Sequence, residues 1–224
     1  MNPMIEVDNV SKTFQLANQS VEVLKNINLN IEKGEFISIM GPSGSAKSTL
    51  LYLMGGLDQV SQGTICVNGV EIQKLNDEAE SRMRRNDIGF VFQAYNLINN
   101  LTLEENISLP ALLEGKKKKD VKKKAEELMD RVGILKRRDH TPRELSGGEQ
   151  QRTAIARALI SDPVVLFADE PIGNLDSKSG KEVLELLRDI NKEKGITILM
   201  VTHSEESTRY GNRIIRLKDG EIVA

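Results

Sequence analysis

The sequence predicts an α/β fold built on a mainly parallel sheet, and three observations predict it. Short apolar runs recur at Phe36–Met40, Ile88–Phe92, Val164–Ala168, Ile196–Val201 and Ile214–Leu217, several of them continuous enough for strands buried on both faces. Helical patterns lie between such runs, giving the order strand, helix, strand. The stretch from Ala94 to Leu159 departs from this alternation and reads as helical throughout, as an inserted α-helical subdomain would. The chain of 224 residues is then one domain, with a core of residues 1–93 and 160–224 and a helical subdomain at about 94–159.

The elements follow in chain order. Near the N-terminus and around Thr64–Ile72, short alternating segments with Asn68-Gly69 as turn predict a small antiparallel β subdomain. Lys47 to Met54 follows a glycine-rich loop and stops at Gly55-Gly56, a glycine C-terminal signal. Within the insert, Thr102 and Glu105 form a capping box, and Pro110 should end or kink the helix that follows. A second helix carries Val121, Ala125, Leu128, Met129 and Val132 on one face and lysines on the other. Ser177 to Lys194 places Val183, Leu184, Leu187 and Ile190 at helical spacing, with Asp176 as N-cap and Gly195 at the end.

Composition removes several function classes. Lys+Arg total 31 against Asp+Glu 33, a formal charge of -2, so no global basic field recruits nucleic acid. The single cysteine, Cys66, excludes an internal disulfide and reads as a small strand residue in a reducing compartment. Met1 to Glu6 lacks the charged and apolar regions of a signal peptide, and Val164–Ala168 and Ile196–Val201 are too short to span a bilayer. The sequence therefore reads as cytoplasmic, with any membrane role supplied through a partner. The lysines at 116–119 and 122–124 read as a solvated helix face, with a membrane-surface or nucleic-acid contact as the alternative.

The chemistry begins at Gly41-Pro42-Ser43-Gly44-Ser45-Ala46-Lys47-Ser48-Thr49, which follows a strand and opens a helix. That is the context of a Walker A loop and hence of a P-loop NTPase core. Backbone N–H groups and the positive helix end would surround the β-phosphate of ATP. Lys47 would neutralise the β- and γ-phosphates, and the Ser48 hydroxyl would ligate Mg2+. Ala46 stands where the motif has its second glycine. With φ > 0 there, a side chain costs roughly 1–2 kcal/mol. It is either tolerated natural variation or a change that cripples the site.

Downstream, the apolar run Val164–Ala168 ends in Asp169 and Glu170. Asp169 would orient Mg2+ through a water, the Walker B role, and Glu170 would polarise the attacking water as general base. Between the two elements lies Leu145-Ser146-Gly147-Gly148-Glu149-Gln150-Gln151-Arg152. Ser146 and the glycines leave backbone N–H groups exposed at the start of a helix over Glu149–Ile160, an anion site.

This segment resembles the signature sequence of ABC-transporter ATPases, and the motifs fall in that family's order along essentially the whole chain. The resemblance implies that Ser146, Gly147, Gly148 and Glu149 face the γ-phosphate held by a second subunit, with ATP sandwiched in a head-to-tail homodimer. It implies that Phe14 stacks on adenine, the alternative being a strand-end core residue. Gln93 looks like the glutamine that senses Mg2+ and the membrane partner, and Asp176 like an interface aspartate as well as a helix cap. His203 matches the histidine that contacts the γ-phosphate. His140 matches nothing in the pattern and reads as a surface residue.

Further residues resemble one branch: Arg84 to Gln93, Asn96-Leu97-Ile98, Leu101-Thr102, Glu105-Asn106 and Pro171 to Asp176. They look like the ATPases of macrolide exporters, lipoprotein-releasing systems and bacitracin-type peptide-resistance transporters. The implied function is an ATPase that dimerises on ATP and drives a transmembrane permease subunit seated near Ala94–Asn106, peripheral on the inner face of the cell membrane. The alternative is a nucleotide-binding cassette that hydrolyses weakly or not at all because of Ala46. A soluble relative acting in DNA repair or translation would need coiled-coil insertions or two fused cassettes, for which 224 residues leave no room. Asn191-Lys192-Glu193-Lys194 lacks the aspartate that reads guanine, which argues against a GTPase.

Overall fold

The computed structural model describes residues 3–17 and 19–223; Met1 and Asn2 of the leading segment lie outside them. Two long strands, β1 (Ile5–Leu16) and β2 (Gln19–Ile31), pair antiparallel and turn Val7, Val10, Leu24, Ile27 and Ile31 inward. The chain then enters β3 (Phe36–Met40) and α1 (Lys47–Met54) before returning through β4 (Gln62–Val67) and β5 (Val70–Glu71). Asn68 and Gly69 join β4 to β5 with φ of 49 and 79, the pair of left-handed residues an Asn-Gly turn favours. The resulting sheet has the order β2-β1-β4-β5 and is antiparallel throughout.

After α2 (Asp77–Asn86) and β6 (Ile88–Phe92) come three helices, α3 (Leu103–Leu113), α4 (Lys118–Arg131) and α5 (Gly147–Leu159). The chain closes with β7 (Val165–Asp169), α6 (Ser177–Lys194), β8 (Thr197–Thr202), the short α7 (Glu205–Thr208), β9 (Arg213–Lys218) and β10 (Glu221–Val223). The second sheet has the order β10-β9-β3-β8-β7-β6, parallel except where β10 returns along β9.

Burial explains why its central strands are apolar at every position. Side chains alternate across a pleated sheet, so a sheet covered on both faces needs two apolar sets per strand. Val165, Phe167, Leu199 and Val201 pack with Leu50, Leu51 and Met54 of α1 beneath the antiparallel sheet. Leu166, Ala168, Ile198 and Met200 pack on the other side with Ile107, Leu128, Ile155 and Leu187 of the helices. Each fully buried Leu, Ile or Phe contributes about 1.5–3 kcal/mol, so the sheet is densely supported from both faces. The functional loops leave its β3, β7 and β8 strands.

Several expectations need correction. Residues 94–101 are turns and bends, not helix. Tyr95 and Asn96 have φ of 60 and 51, which no right-handed helix accommodates. The buried Asn106 side chain then holds the loop, accepting from the N–H of Ile98 at 2.7 Å and donating to the carbonyls of Ile98, Leu101 and Thr102. The capping box of Thr102 and Glu105 starts α3 as expected, yet the helix runs past Pro110 to Leu113. Proline removes one N–H donor, and the carbonyl of Pro110 still accepts from the N–H of Glu114 at 3.2 Å. The signature helix begins at Gly147 rather than Glu149, because the Ser146 cap encloses both glycines in its first turn. β7 and β8 end one residue later than the apolar runs, so Asp169 and Thr202 are themselves paired strand residues. His140 is half-buried, with Nε2 3.3 Å from Nη1 of Arg137.

Candidate active site

Gly41 stands where β3 leaves the sheet beside β9. A Cβ on it would meet the carbonyl oxygen of Leu217 at 1.9 Å, so only glycine lets the loop turn here. The loop closes on itself through Ser45, whose Oγ donates to the carbonyl of Pro42 at 2.8 Å. Ala46 caps α1 in the left-handed conformation, φ 65 and ψ 26. Lys47 opens that helix with its ammonium turned into the loop, donating to the carbonyls of Gly41 at 2.9 Å and Pro42 at 2.8 Å.

Opposite the loop, Asp169 ends β7, and its two oxygens receive two hydroxyls from one face of α1. Ser48 Oγ donates to Oδ1 at 2.7 Å and the Tyr52 hydroxyl donates to Oδ2 at 2.6 Å. Residues four apart on a helix share a face, which is why both reach the same carboxylate. Burial, then the hydrogen bond to Asp169, pushes the Tyr52 phenol well above the ordinary range. Ser48 Oγ and Asp169 Oδ1 form a pair of hard oxygen donors. Among the described residues no group of three His, Cys, Asp or Glu side chains forms a protein cage for a metal. Mg2+ needs none, since it retains water and takes phosphate oxygens beside one or two protein ligands, so the donor set fits it.

The next residue, Glu170, has φ 45, a left-handed conformation that costs a non-glycine residue about 1–3 kcal/mol and clusters at functional sites. Its N–H donates to the carbonyl of Val201 at 3.0 Å, and its Oε2 lies 2.9 Å from Nδ1 of His203. A cleft of about 620 Å³ is lined by Ser43, Gly44, Ala46, Lys47, Ser48, Thr49, Glu170 and His203. The loop, the Ser48 hydroxyl and the Glu170–His203 pair therefore share one concave surface.

Other candidates lie outside that lining. The Gln93 amide donates from Nε2 to Asn174 Oδ1 at 3.1 Å, and Asn174 Nδ2 donates back to the Gln93 carbonyl at 3.0 Å. Gly173 makes room for this, because a Cβ there would sit 2.6 Å from Gln93 Nε2. Ser146 and Glu149 form a reciprocal cap at the tip of α5, and Gly147 and Gly148 pack near Tyr95 and Ser179. The backbone N–H of Ser146 holds the Glu149 carboxyl below its usual range. Asp176 caps α6 through the N–H groups of Lys178 and Ser179, both at 3.0 Å, and hydrogen bonds from Ser179 lower its pKa. Phe14 is exposed on β1 rather than in the core, with Lys12 Nζ 4.8 Å from its ring centroid. Lys12 is in turn tied to Asp58 at 2.7 Å.

Three residues escaped the sequence reading. Tyr52 was legible only as Ser48 plus four on a helix, a spacing that says nothing of what lies opposite. Asn174 lay inside the Pro171 to Asp176 motif with no sign of its Gln93 partner, and Arg157 had no signal, because their roles depend on loops returning from elsewhere. Arg157 donates to the carbonyls of Tyr95 at 2.9 Å and Asn96 at 2.5 Å.

Comparison with known proteins gives consistent results. The family profile described as ABC transporter matches residues 24–173. An ABC transporter ATP-binding protein of Methanocaldococcus jannaschii is 49% identical over 98% of both chains. The lipoprotein-releasing system ATP-binding protein LolD of Geobacter metallireducens is 44% identical over the full length of both. The macrolide export ATP-binding/permease protein MacB of Bdellovibrio bacteriovorus is 47% identical over 98% of this chain, which spans 33% of that longer protein. Among solved structures, the dimeric post-hydrolysis state of an M. jannaschii ATP-binding cassette bound to ADP and Pi superimposes with a TM-score of 0.92. It is 43% identical and covers 99% of this chain and 97% of its own.

Proposed function

We propose, because the chain belongs to the ABC transporter family, that it is the ATP-binding and ATP-hydrolysing subunit of a transporter, working on a separate membrane-spanning permease. No helix among the described residues is long and apolar enough to cross a membrane. The chain then sits at the inner face of the membrane through that permease.

The observation that carries the reading is the placement of Glu170 and His203 across one cleft from Lys47 and Ser48. Loop N–H groups and the Lys47 ammonium hold the β- and γ-phosphates of ATP. Ser48 and Asp169 would hold Mg2+, which would supply positive charge against the phosphates. Glu170 takes the proton of the attacking water as general base. His203 fixes Glu170 Oε2 and faces the γ-phosphate. Phe14 offers its open ring to adenine, and Gln93 reports the state of the site to the permease.

Ser146, Gly147 and Gly148 do not line the cleft of their own chain, so they serve a second copy. The head-to-tail dimer closes each cleft with the other chain's α5 tip, where N–H groups and the helix dipole favour anionic phosphate. The likeness to a dimeric cassette that carries ADP and Pi favours hydrolysis over the non-hydrolysing alternative, which draws on Ala46 alone. Similarity to LolD and MacB supports a permease of the lipoprotein-releasing or macrolide-exporting kind.

Size-exclusion chromatography of Glu170→Gln with Mg-ATP tests the reading. The expected result is a dimer with ATP and a monomer without it, and Ser146→Arg in the same background should stay monomeric. A Glu170→Gln chain that binds ATP as a monomer, or a dimer indifferent to the Ser146→Arg change, would refute the sandwich.

A further inference from the structure

The two hydroxyls on Asp169 are not equivalent. Ser48 sits at the first turn of α1, where its oxygen would be taken by Mg2+ when Mg-ATP binds and would then leave Asp169 Oδ1. Tyr52 sits one turn deeper, half-buried, with its ring packed against Phe92 at a centroid distance of 6.3 Å and an interplanar angle of 58°. Phe92 is itself the cross-strand partner of Asp169 in the β6–β7 register, and it directly precedes Gln93. The phenol oxygen is therefore anchored by the sheet and the helix together, while the Ser48 hydroxyl stands at the rim of the cleft.

We propose that Tyr52 is a positioning residue for Asp169: by holding Oδ2 at 2.6 Å it fixes the carboxylate plane so that Oδ1 faces the Ser48 side, where Mg2+ and the phosphates of ATP meet. A carboxylate on a strand end has a soft terminal torsion, and one hydroxyl leaves it free to swing about the remaining bond. A second hydroxyl on the other oxygen removes that freedom before nucleotide arrives. Hydrogen bonds to a charged acceptor are the strong ones, so its loss is felt as a looser site rather than an unfolded chain. This inference rests on the reading of Asp169 as the carboxylate that serves Mg-ATP.

The test measures ATP affinity of the full chain by titration calorimetry, first in EDTA and then across a Mg2+ series. Tyr52→Phe removes one oxygen and keeps the ring against Phe92. It should bind metal-free ATP like the parent, yet need about ten-fold more Mg2+ for half of the metal-dependent gain in affinity. Its kcat should be low at limiting Mg2+ and recover at high Mg2+, with a melting temperature close to the parent's. A parental Mg2+ dependence in Tyr52→Phe overturns the proposal. So does an equal loss of affinity with and without metal, which would mark a damaged loop. Asp169→Asn run in parallel separates the two readings. If it keeps the parental Mg2+ response, the assignment of Asp169 fails. If it loses that response while Tyr52→Phe does not, only the role of Tyr52 falls.

Discussion

His203 Nδ1 lies 2.9 Å from Glu170 Oε2, joining the loops that leave the neighbouring parallel strands β8 and β7. Glu170 reaches this position only by adopting φ 45, so its backbone carries strain that the hydrogen bond and the Glu170 N–H to Val201 contact retain. A base held by an imidazole presents one oxygen to water and keeps the other engaged.

The expected outcome in steady-state assays is a division of labour. Glu170→Gln keeps the shape and loses the proton acceptor, so kcat should fall by roughly 10²–10⁴-fold while ATP still binds. His203→Ala should leave a base that is present but unaimed, with a smaller loss in kcat. Normal turnover in Glu170→Gln would remove it as the base.

Much of this arrangement was legible in the sequence, for physical reasons that also mark where reading stopped. The strand runs at Phe36–Met40 and Ile88–Phe92 and the helix over Ser177–Lys194 coincide with β3, β6 and α6, because burial on both faces and an Asp176–Gly195 cap pair leave one solution. The phosphate loop and the acidic pair are local motifs whose geometry is written in consecutive residues. Residues 94–101 were misread, because their course is set by Asn106 and Arg157 from other elements. Periodicity carries no record of a side chain that hydrogen-bonds a distant backbone.

Ala46 has φ 65, so a methyl group occupies a conformation that glycine adopts freely. Ala46→Gly relieves roughly 1–2 kcal/mol of strain in the folded loop. It also gives the unfolded chain more freedom, which offsets about 0.4–1 kcal/mol. Folding stability should therefore change little. The strain is carried with and without ATP and cancels in binding, so any tighter ATP binding, by up to about ten-fold, should come from removing the methyl group that lines the cleft. Calorimetric titration of both forms decides it, and equal affinities would show that the Ala46 methyl group does not crowd the phosphates.

Glu149 is held below its usual pKa of 4.5, first by the backbone N–H of Ser146 and further by the Ser146 hydroxyl and Arg137, which lies 3.2 Å away. A depressed carboxylate contributes stability that is complete above its unfolded value and is lost as pH falls through the folded one. Glu149→Gln keeps a side chain able to cap the helix but carries no charge. Urea denaturation should find it less stable than the parent at pH 7, with the gap starting to close near pH 4.5 and closing further below it. A gap that is constant with pH would mean that the charge of Glu149 does not matter to the cap.

Arg157 anchors the irregular segment that follows Gln93. Its guanidinium, whose pKa is lowered by burial, donates to the carbonyls of Tyr95 and Asn96, the two residues at φ 60 and 51. Neither residue would hold that conformation unaided, since each left-handed non-glycine residue costs about 1–3 kcal/mol. A planar fork can serve two carbonyls at once, whereas an ammonium on a flexible stem holds no such fixed geometry. Arg157→Lys should therefore release the segment following Gln93 while α5, which carries residue 157, stays folded. Amide hydrogen exchange should speed up at residues 94–101 and stay unchanged in β7 and β8, and global stability should fall by about 1.5–3 kcal/mol. The distribution of the change matters more than its size. Faster exchange throughout the α5 core would mean that Arg157 supports the helix packing, and unchanged exchange at 94–101 would mean that Asn106 holds the loop without it.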